Sequence, residues 1–302
     1  MTTITLAICT KDRPVDMKTL LSSISIQTRL PDRIIVADGS DHPIKDVVDE
    51  FPNLPIEYFT VRPPSLPKQR NVCISKLTSN DDWIGFLDDD LVLEDKCLEN
   101  LEKFIIKESN LSGVGITINN QVDLKRSLIR EFLLLDKLPG GLFTKSGCPS
   151  AIRPSKVDLE LEWIYGGATF WKREILESYK YDEWFDGTGY YEDVDFSFRV
   201  SRENRIALCS SSRCFHYHHP VRKERLIALG EWQITGWWYF ISKSRNFNRL
   251  FVLWSMIGVS LINLAIGLSR PKSNRLRSFL GNIKGLFRIL TGTALTKTGF
   301  SK

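Results

Sequence analysis

The chain has 302 residues, 42% of them hydrophobic and 25% charged, with 19 Gly and 13 Pro; this excludes fibrous and disordered classes and leaves room for one catalytic-sized domain plus an appendage. Its six cysteines, Cys9, Cys73, Cys97, Cys148, Cys209 and Cys214, are scattered without a C-x-x-C pair, which speaks against a disulfide framework or a zinc site and for reduced thiols in the cytosol. The net charge of +5 is unevenly divided, because residues 221–302 carry 14 Lys and Arg against only Glu224 and Glu231, while residues 1–220 carry 27 against 34.

In chain order, Ile4 to Cys9 is a short apolar strand that runs without a preceding secretory pattern into the polar turn Thr10-Lys11-Asp12-Arg13-Pro14, so the catalytic part is expected to face the cytosol. Met17, Leu20, Leu21 and Ile24 then recur at helical spacing. Arg33 to Ala37 reads as a second buried strand, closed by Asp38-Gly39-Ser40-Asp41. Strand, helix, strand is the opening of a parallel sheet. A proline-rich segment, a helical stretch from Gln69 to Leu77 and a third strand from Trp83 to Leu87 continue the alternation. Asp95 is placed to cap the next helix, which carries Leu98, Leu101 and Ile105. Three strands thus end in polar residues at their carboxyl edge, where open α/β sheets bind ligands. From Gly113 to Arg153 the pattern is weak and reads as a loop over the site; clearer signals return at Trp163 to Trp171 and Tyr190 to Val200.

Three groups of residues carry chemistry. Asp88-Asp89-Asp90 follows an apolar strand, and three adjacent carboxylates repel one another unless solvent or a cation compensates. A divalent ion bridging to a diphosphate and a solvated turn both fit that run taken alone. Strand alternation puts Asp88 and Asp90 on one side and Asp89 on the other. Glu192-Asp193-Val194-Asp195 lies at a helix start, where acids are stabilised by free N–H groups and where a general base for a hydroxyl could be held. His216, His218 and His219 are three of the four histidines, and neutral imidazole is a metal ligand.

Together these segments resemble the family 2 glycosyltransferases over roughly residues 3–220. The resemblance rests on Thr5 to Arg13, Ile34 to Ser40, Gln69-Arg70-Asn71, Phe86-Leu87-Asp88-Asp89-Asp90 as the D-x-D motif, Gly166 to Phe170 with Arg173, and Glu192-Asp193-Val194-Asp195 as the E-D motif. It implies a GT-A fold, an α/β architecture with a Rossmann-like mixed sheet, divided into a nucleotide-binding half (1–112) and an acceptor-binding half (113–220). The implied activity is inverting transfer from a nucleotide-diphosphate sugar, UDP- or dTDP-linked, to a glycan or lipid-linked acceptor. By the same resemblance, Asp38 contacts the base, with Thr10 and Arg13 lining its pocket, and Arg70 lies against base or diphosphate. Asp88 and Asp89 face the nucleotide-sugar, Asp90 and His216 hold Mn²⁺ or Mg²⁺, and Gly166, Gly167 and Trp163 belong to the acceptor side. Asp193 is the implied catalytic base, with Glu192 as its neighbour. Asp89 stays a rival of Asp90 for the metal, and His218 and His219 stay rivals of His216. The alternatives are a sugar-nucleotide-forming nucleotidyltransferase and a catalytically inactive, membrane-bound nucleotide-sugar-binding scaffold.

Residues 221–302 form a basic, aromatic and apolar helical region. Leu250 to Leu268 is an uncharged run flanked by Lys243, Arg245 and Arg249 before and by Arg270, Lys272, Arg275 and Arg277 after. Its length just suffices to span a bilayer, but basic clusters at both ends conflict with the positive-inside rule, and a helix lying in the interface avoids that. Anionic lipid suits this tail better than nucleic acid. The expected partner is therefore the cytoplasmic face of a membrane, with a helical appendage packed on the catalytic domain or on a second subunit as the other reading.

Overall fold

The computed structural model describes residues 2–122, 124–187, 190–244 and 246–296. Two compact units divide them, the first made of residues 1–123, 152–186 and 192–218, the second of 124–151, 187–191 and 219–302.

The first unit is built on a nine-stranded mixed sheet. β1 (Ile4–Thr10) leads into α1 (Pro14–Ser25), whose first position is proline and whose Met17, Leu20, Leu21 and Ile24 are buried, as their spacing predicts. β2 (Arg33–Asp38), α2 (Lys45–Asp49), β3 (Ile56–Thr60), α3 (Leu66–Ser75), β4 (Trp83–Asp88), β5 (Leu91–Leu93) and α4 (Cys97–Lys107) follow. β3, β2, β1 and β4 pair in parallel in that order. Parallel strands are joined by crossovers that usually carry a helix, and α1, α2 and α3 supply them. Asp95 does not cap α4: the residue before the helix is Lys96, which makes no side-chain cap, and the Asp95 carbonyl instead accepts from the Thr28 N–H at 2.9 Å.

Beyond β4 the sheet becomes mixed. β6 (Leu111–Ile118), β7 (Leu159–Leu161), β8 (Ala168–Lys172) and β9 (Arg205–His216) complete it, β8 running antiparallel to both β4 and β6. β6 occupies the start of the stretch read as a loop. Its Gly113 and Gly115 blur the strand pattern, yet a Cβ on Gly113 would fall 2.3 Å from the Trp171 ring and one on Gly115 2.7 Å from Ile164. α6 (Arg173–Ser178) and α7 (Glu192–Ser201) pack this half. The antiparallel pairing of β5 with the end of β9, Leu91 opposite His216, completes the far side of the sheet.

The second unit is helical: α5 (Leu128–Phe132), α8 (Leu226–Ser242), α9 (Arg249–Ser269) and α10 (Arg275–Leu290). Of the basic residues expected to flank the apolar run, Arg245 lies outside the described residues. By length and composition α9 is apolar enough to cross a membrane. α8 and α10 approach closely at glycines, since a Cβ on Gly281 would lie 2.1 Å from the Ile227 carbonyl oxygen and one on Gly230 2.3 Å from that of Ser278. Between them Glu231 is held by Arg288 at 2.9 Å and Lys284 at 2.8 Å.

Candidate active site

The site forms along the carboxyl edge of β2, β1 and β4, whose register pairs Thr10 with Asp38 and Cys9 with Asp88. Where the parallel ladder runs out, Gln69 from α3 ties the two inner strands, donating from Nε2 to the carbonyls of Ala37 (2.8 Å) and Thr10 (2.9 Å). Asp38 is fully buried. Its carboxylate accepts the N–H groups of Ser40 (2.7 Å) and Ile44 (3.0 Å) and the Tyr58 hydroxyl. Burial works against its charge, but these donors outweigh burial and hold the carboxyl below its usual range. Asp38 thereby shapes the 38–44 turn beside Thr10.

The three aspartates separate into three environments. Asp89 turns inward to accept from Thr10 Oγ1 at 2.7 Å and Arg13 Nη1 at 2.8 Å, and burial pushes its carboxyl up to about 6. Asp90 meets His216 Nε2 at 2.8 Å and Arg13 Nη1 at 3.3 Å. Burial opposes its charge, yet the His216 hydrogen bond and the charges of His216 and Arg13 outweigh it and lower that carboxyl. Asp88 Oδ2 lies 3.9 Å from the same histidine nitrogen, so Asp88 and Asp90 face one side, as alternation predicts.

His216 arrives there because β5 and β9 pair and the Tyr217 N–H donates to the Asp90 carbonyl at 2.9 Å. The Asn120 amide brackets its backbone with two bonds of 2.9 Å. The His218 ring lies 3.6 Å from that of His216 between centroids. One ligand atom each from Asp90, His216 and His218 falls within 4.8 Å of the others. One carboxylate oxygen with two imidazole nitrogens fits Mn²⁺ better than Mg²⁺, which favours oxygen throughout.

Opposite the acidic run stands the start of α7. Arg70, 3% exposed, reaches Glu192 Oε1 with Nη1 at 3.1 Å and Asp88 Oδ1 with Nη2 at 3.6 Å. Its guanidinium lies 5.0 Å over the Tyr181 ring, and Asn71 fixes Tyr181 by exchanging hydrogen bonds with its backbone at 2.9 and 3.0 Å. Gln69, Arg70 and Asn71 therefore bind strand ends, carboxylates and aromatic support in turn. Arg70, expected against the base or diphosphate, is occupied by these protein groups.

Asp193 Oδ2 accepts the Gly166 N–H at 3.0 Å. Burial pushes the Asp193 carboxyl up, with Arg70 opposing, and burial together with Asp193 pushes Glu192 up to about 7. Glu192 Oε2 is buried and accepts no hydrogen bond from the described residues. Gly166 and Gly167 earn their places by volume: a Cβ on Gly166 would fall 2.8 Å from Arg70 and Asp193, and one on Gly167 2.0 Å from the Asp88 carboxyl. Trp163 is 5% exposed, edge-on to Tyr165 with centroids 4.8 Å apart, and supports the segment entering this glycine pair. Tyr58 and Tyr181 escape sequence reading, since a lone aromatic in a half-buried strand or a connector carries no pattern.

The model of glycosyl transferase family 2 matches residues 5–179. The chain belongs to this family and has the GT-A fold. No curated protein matches the chain. Among solved structures, S. aureus TarS is similar at 16% identity and a TM-score of 0.50, covering 90% of this chain. This chain spans 45% of that TarS chain. The 1–349 fragment of TarS aligns at 14% identity and a TM-score of 0.51, and its complex with UDP-GlcNAc at 13% and 0.53, each alignment covering 96% of this chain and 92% of the fragment. At such identity the likeness is one of fold.

Proposed function

We propose that the chain is an inverting glycosyltransferase that moves a sugar from a nucleotide-diphosphate donor to a hydroxyl of a glycan or lipid-linked glycan. The observation that carries this reading is the Asp193 carboxylate, held by the Gly166 N–H, with the next residue, Gly167, against the Asp88 that ends β4. In a direct displacement, one Asp193 oxygen takes the proton of the acceptor hydroxyl as the hydroxyl oxygen bonds to the anomeric carbon. The bond from the anomeric carbon to the diphosphate breaks on the opposite face, and its electron pair leaves with the nucleotide. The raised affinity of Asp193 for protons suits a base working near neutral pH.

Asp90, His216 and His218 would hold the divalent cation, Mn²⁺ before Mg²⁺, whose charge stabilises the leaving diphosphate when bound. Arg70 keeps Asp88 and Glu192 in place, and Asp89 braces Thr10 and Arg13 at the donor side. The complex of TarS with UDP-GlcNAc supports a UDP-sugar as donor. Attachment of residues 221–302 to the cytoplasmic face of a membrane is supported by their basic excess and by the apolar α9.

The deciding experiment incubates the chain with a panel of nucleotide-sugars and Mn²⁺, following donor stabilisation by thermal shift and nucleotide release with acceptor glycans. A donor-specific shift in the wild type, with release abolished in Asp193→Asn, is expected. Full release by Asp193→Asn would overturn the assignment of the base, and no shift with any nucleotide-sugar would overturn the donor class.

A further inference from the structure

We infer, resting on the membrane reading above, that the second unit docks on an anionic bilayer through one apolar face made by α5, α9 and α10, with α9 lying in the interface. These helices are inverted relative to the interior of a soluble protein, where apolar side chains are inside and polar ones outside. Along α9, the small or polar Ser255, Gly258, Ser260, Asn263 and Gly267 are buried beside Val252 and Met256, whereas Leu250, Trp254, Ile257, Leu261 and Leu268, spaced along one helix face, are exposed. α10 repeats the arrangement. Its buried positions are Gly281, Asn282, Gly285 and Arg288, and its exposed stripe is Leu276, Leu280, Ile283, Phe287 and Leu290, the last 84% exposed.

α5 joins the same face. It buries no residue, and Leu128, Ile129 and Phe132 are each at least 67% exposed. It is fastened to α9, because the Trp254 indole N–H donates to the Phe132 carbonyl at 3.1 Å and Ser255 Oγ donates to that of Leu133 at 2.7 Å. Small residues inside let backbones approach, and polar residues inside bond one another, as Asn263 does with Asn282 at 2.8 Å. That combination, with large apolar side chains outside, is what lipid as solvent selects.

Charge names the occupant. Arg249, Arg270, Lys272, Arg275 and Arg277 lie on or beside the helices of this face, while Glu231, one of two acids in residues 221–302, is neutralised internally by Arg288 and Lys284. Bases at both ends of α9 and at the start of α10 reach headgroups together if the helices lie flat. A crossing α9 would carry one cluster to the far side, and the single turn of α5 is too short to cross.

The test uses flotation of the full chain with vesicles of phosphatidylcholine, with and without phosphatidylglycerol. Phe132→Glu, Leu261→Glu and Phe287→Glu are compared with Ile106→Glu, an exposed apolar position of α4. All replace solvent-facing side chains, so thermal melts should stay within a few degrees of the wild type. The expected result is binding to anionic vesicles that weakens at least tenfold in the three face variants and is unchanged in Ile106→Glu. Lipids brominated near the headgroup should quench a component of the fluorescence that Trp254→Phe removes. Wild-type binding with unchanged variants would overturn the inference and leave a charge-driven membrane attachment standing; no wild-type binding would overturn both. A dimer that the same variants dissociate, without vesicle binding, would give the face to a second copy and overturn the inference. A Trp254 component that is not quenched would also overturn it.

Discussion

Arg70 and Glu192 stand 122 residues apart in sequence and 3.1 Å apart in the site, so the helix that begins after β3 holds the helix that carries Asp193. Both side chains are nearly fully buried, and removing one partner of such a pair costs about 3–5 kcal/mol. Arg70→Gln should lower the melting temperature accordingly. It should also move the acidic limb of the pH–rate profile upward, because the Arg70 charge lowers both Asp193 and Glu192. A limb that stays in place while stability falls would reduce Arg70 to a packing role.

Gly167→Ala places a methyl carbon 2.0 Å from the Asp88 carboxyl. Asp88 must then move, at an overpacking cost of about 1–3 kcal/mol. We expect the variant to fold, to melt lower, and to lose about tenfold or more in transfer, which corresponds to ~1.4 kcal/mol in the barrier. Steady-state kinetics beside a thermal melt decide it. Wild-type rates would mean that Asp88 has slack around it.

Glu192 gives stability a definite pH dependence. Burial raises its folded carboxyl to about 7 from an ordinary 4.5, so between those values the folded state holds a proton that the unfolded chain has released. Folding stability from this group therefore falls as pH rises through that window. Denaturant titrations at pH 5 and pH 7.5 should show the wild type losing more stability across the interval than Glu192→Gln does. Parallel pH dependences in the two proteins would contradict this environment for Glu192.

Asp89 and Asp90 are neighbours with different expected phenotypes. Asp90→Asn and His216→Ala should weaken Mn²⁺ binding at least tenfold, as read by calorimetry or by the paramagnetic signal of free Mn²⁺. Asp89→Asn removes the nearer of the two carboxylate partners of Arg13 and should act chiefly on the melting temperature and donor affinity. Stripping divalent ions with a chelator should suppress transfer in the wild type, and Mn²⁺ should restore it more fully than Mg²⁺. Equal Mn²⁺ affinity in Asp89→Asn and Asp90→Asn would dissolve the distinction.

Much of the site was legible because its acids interrupt apolar runs. Asp88 ends the strand Trp83–Asp88, Glu192 opens a helix with buried Val194, Phe196 and Phe198, and the histidines cluster against an otherwise histidine-poor chain. Less legible was what depends on partners distant in sequence. β3, IEYFT, is a half-buried edge strand without a clear apolar face, and β6 hides behind the glycines that admit Trp171 and Ile164. The inverted faces of α9 and α10 were invisible for a related reason: periodicity reveals that a helix has two faces, and only packing tells which one turns outward.

The pairing of Leu91 with His216 has a temporal meaning as well. Asp90 is made early and His216 follows 126 residues later, so a chain emerging from the ribosome displays the acidic edge well before His216 can join it. Until β9 has closed against β5, Asp90 stands without the imidazoles of His216 and His218 beside it. That three-residue group is therefore complete only once the last strand of the sheet is laid down.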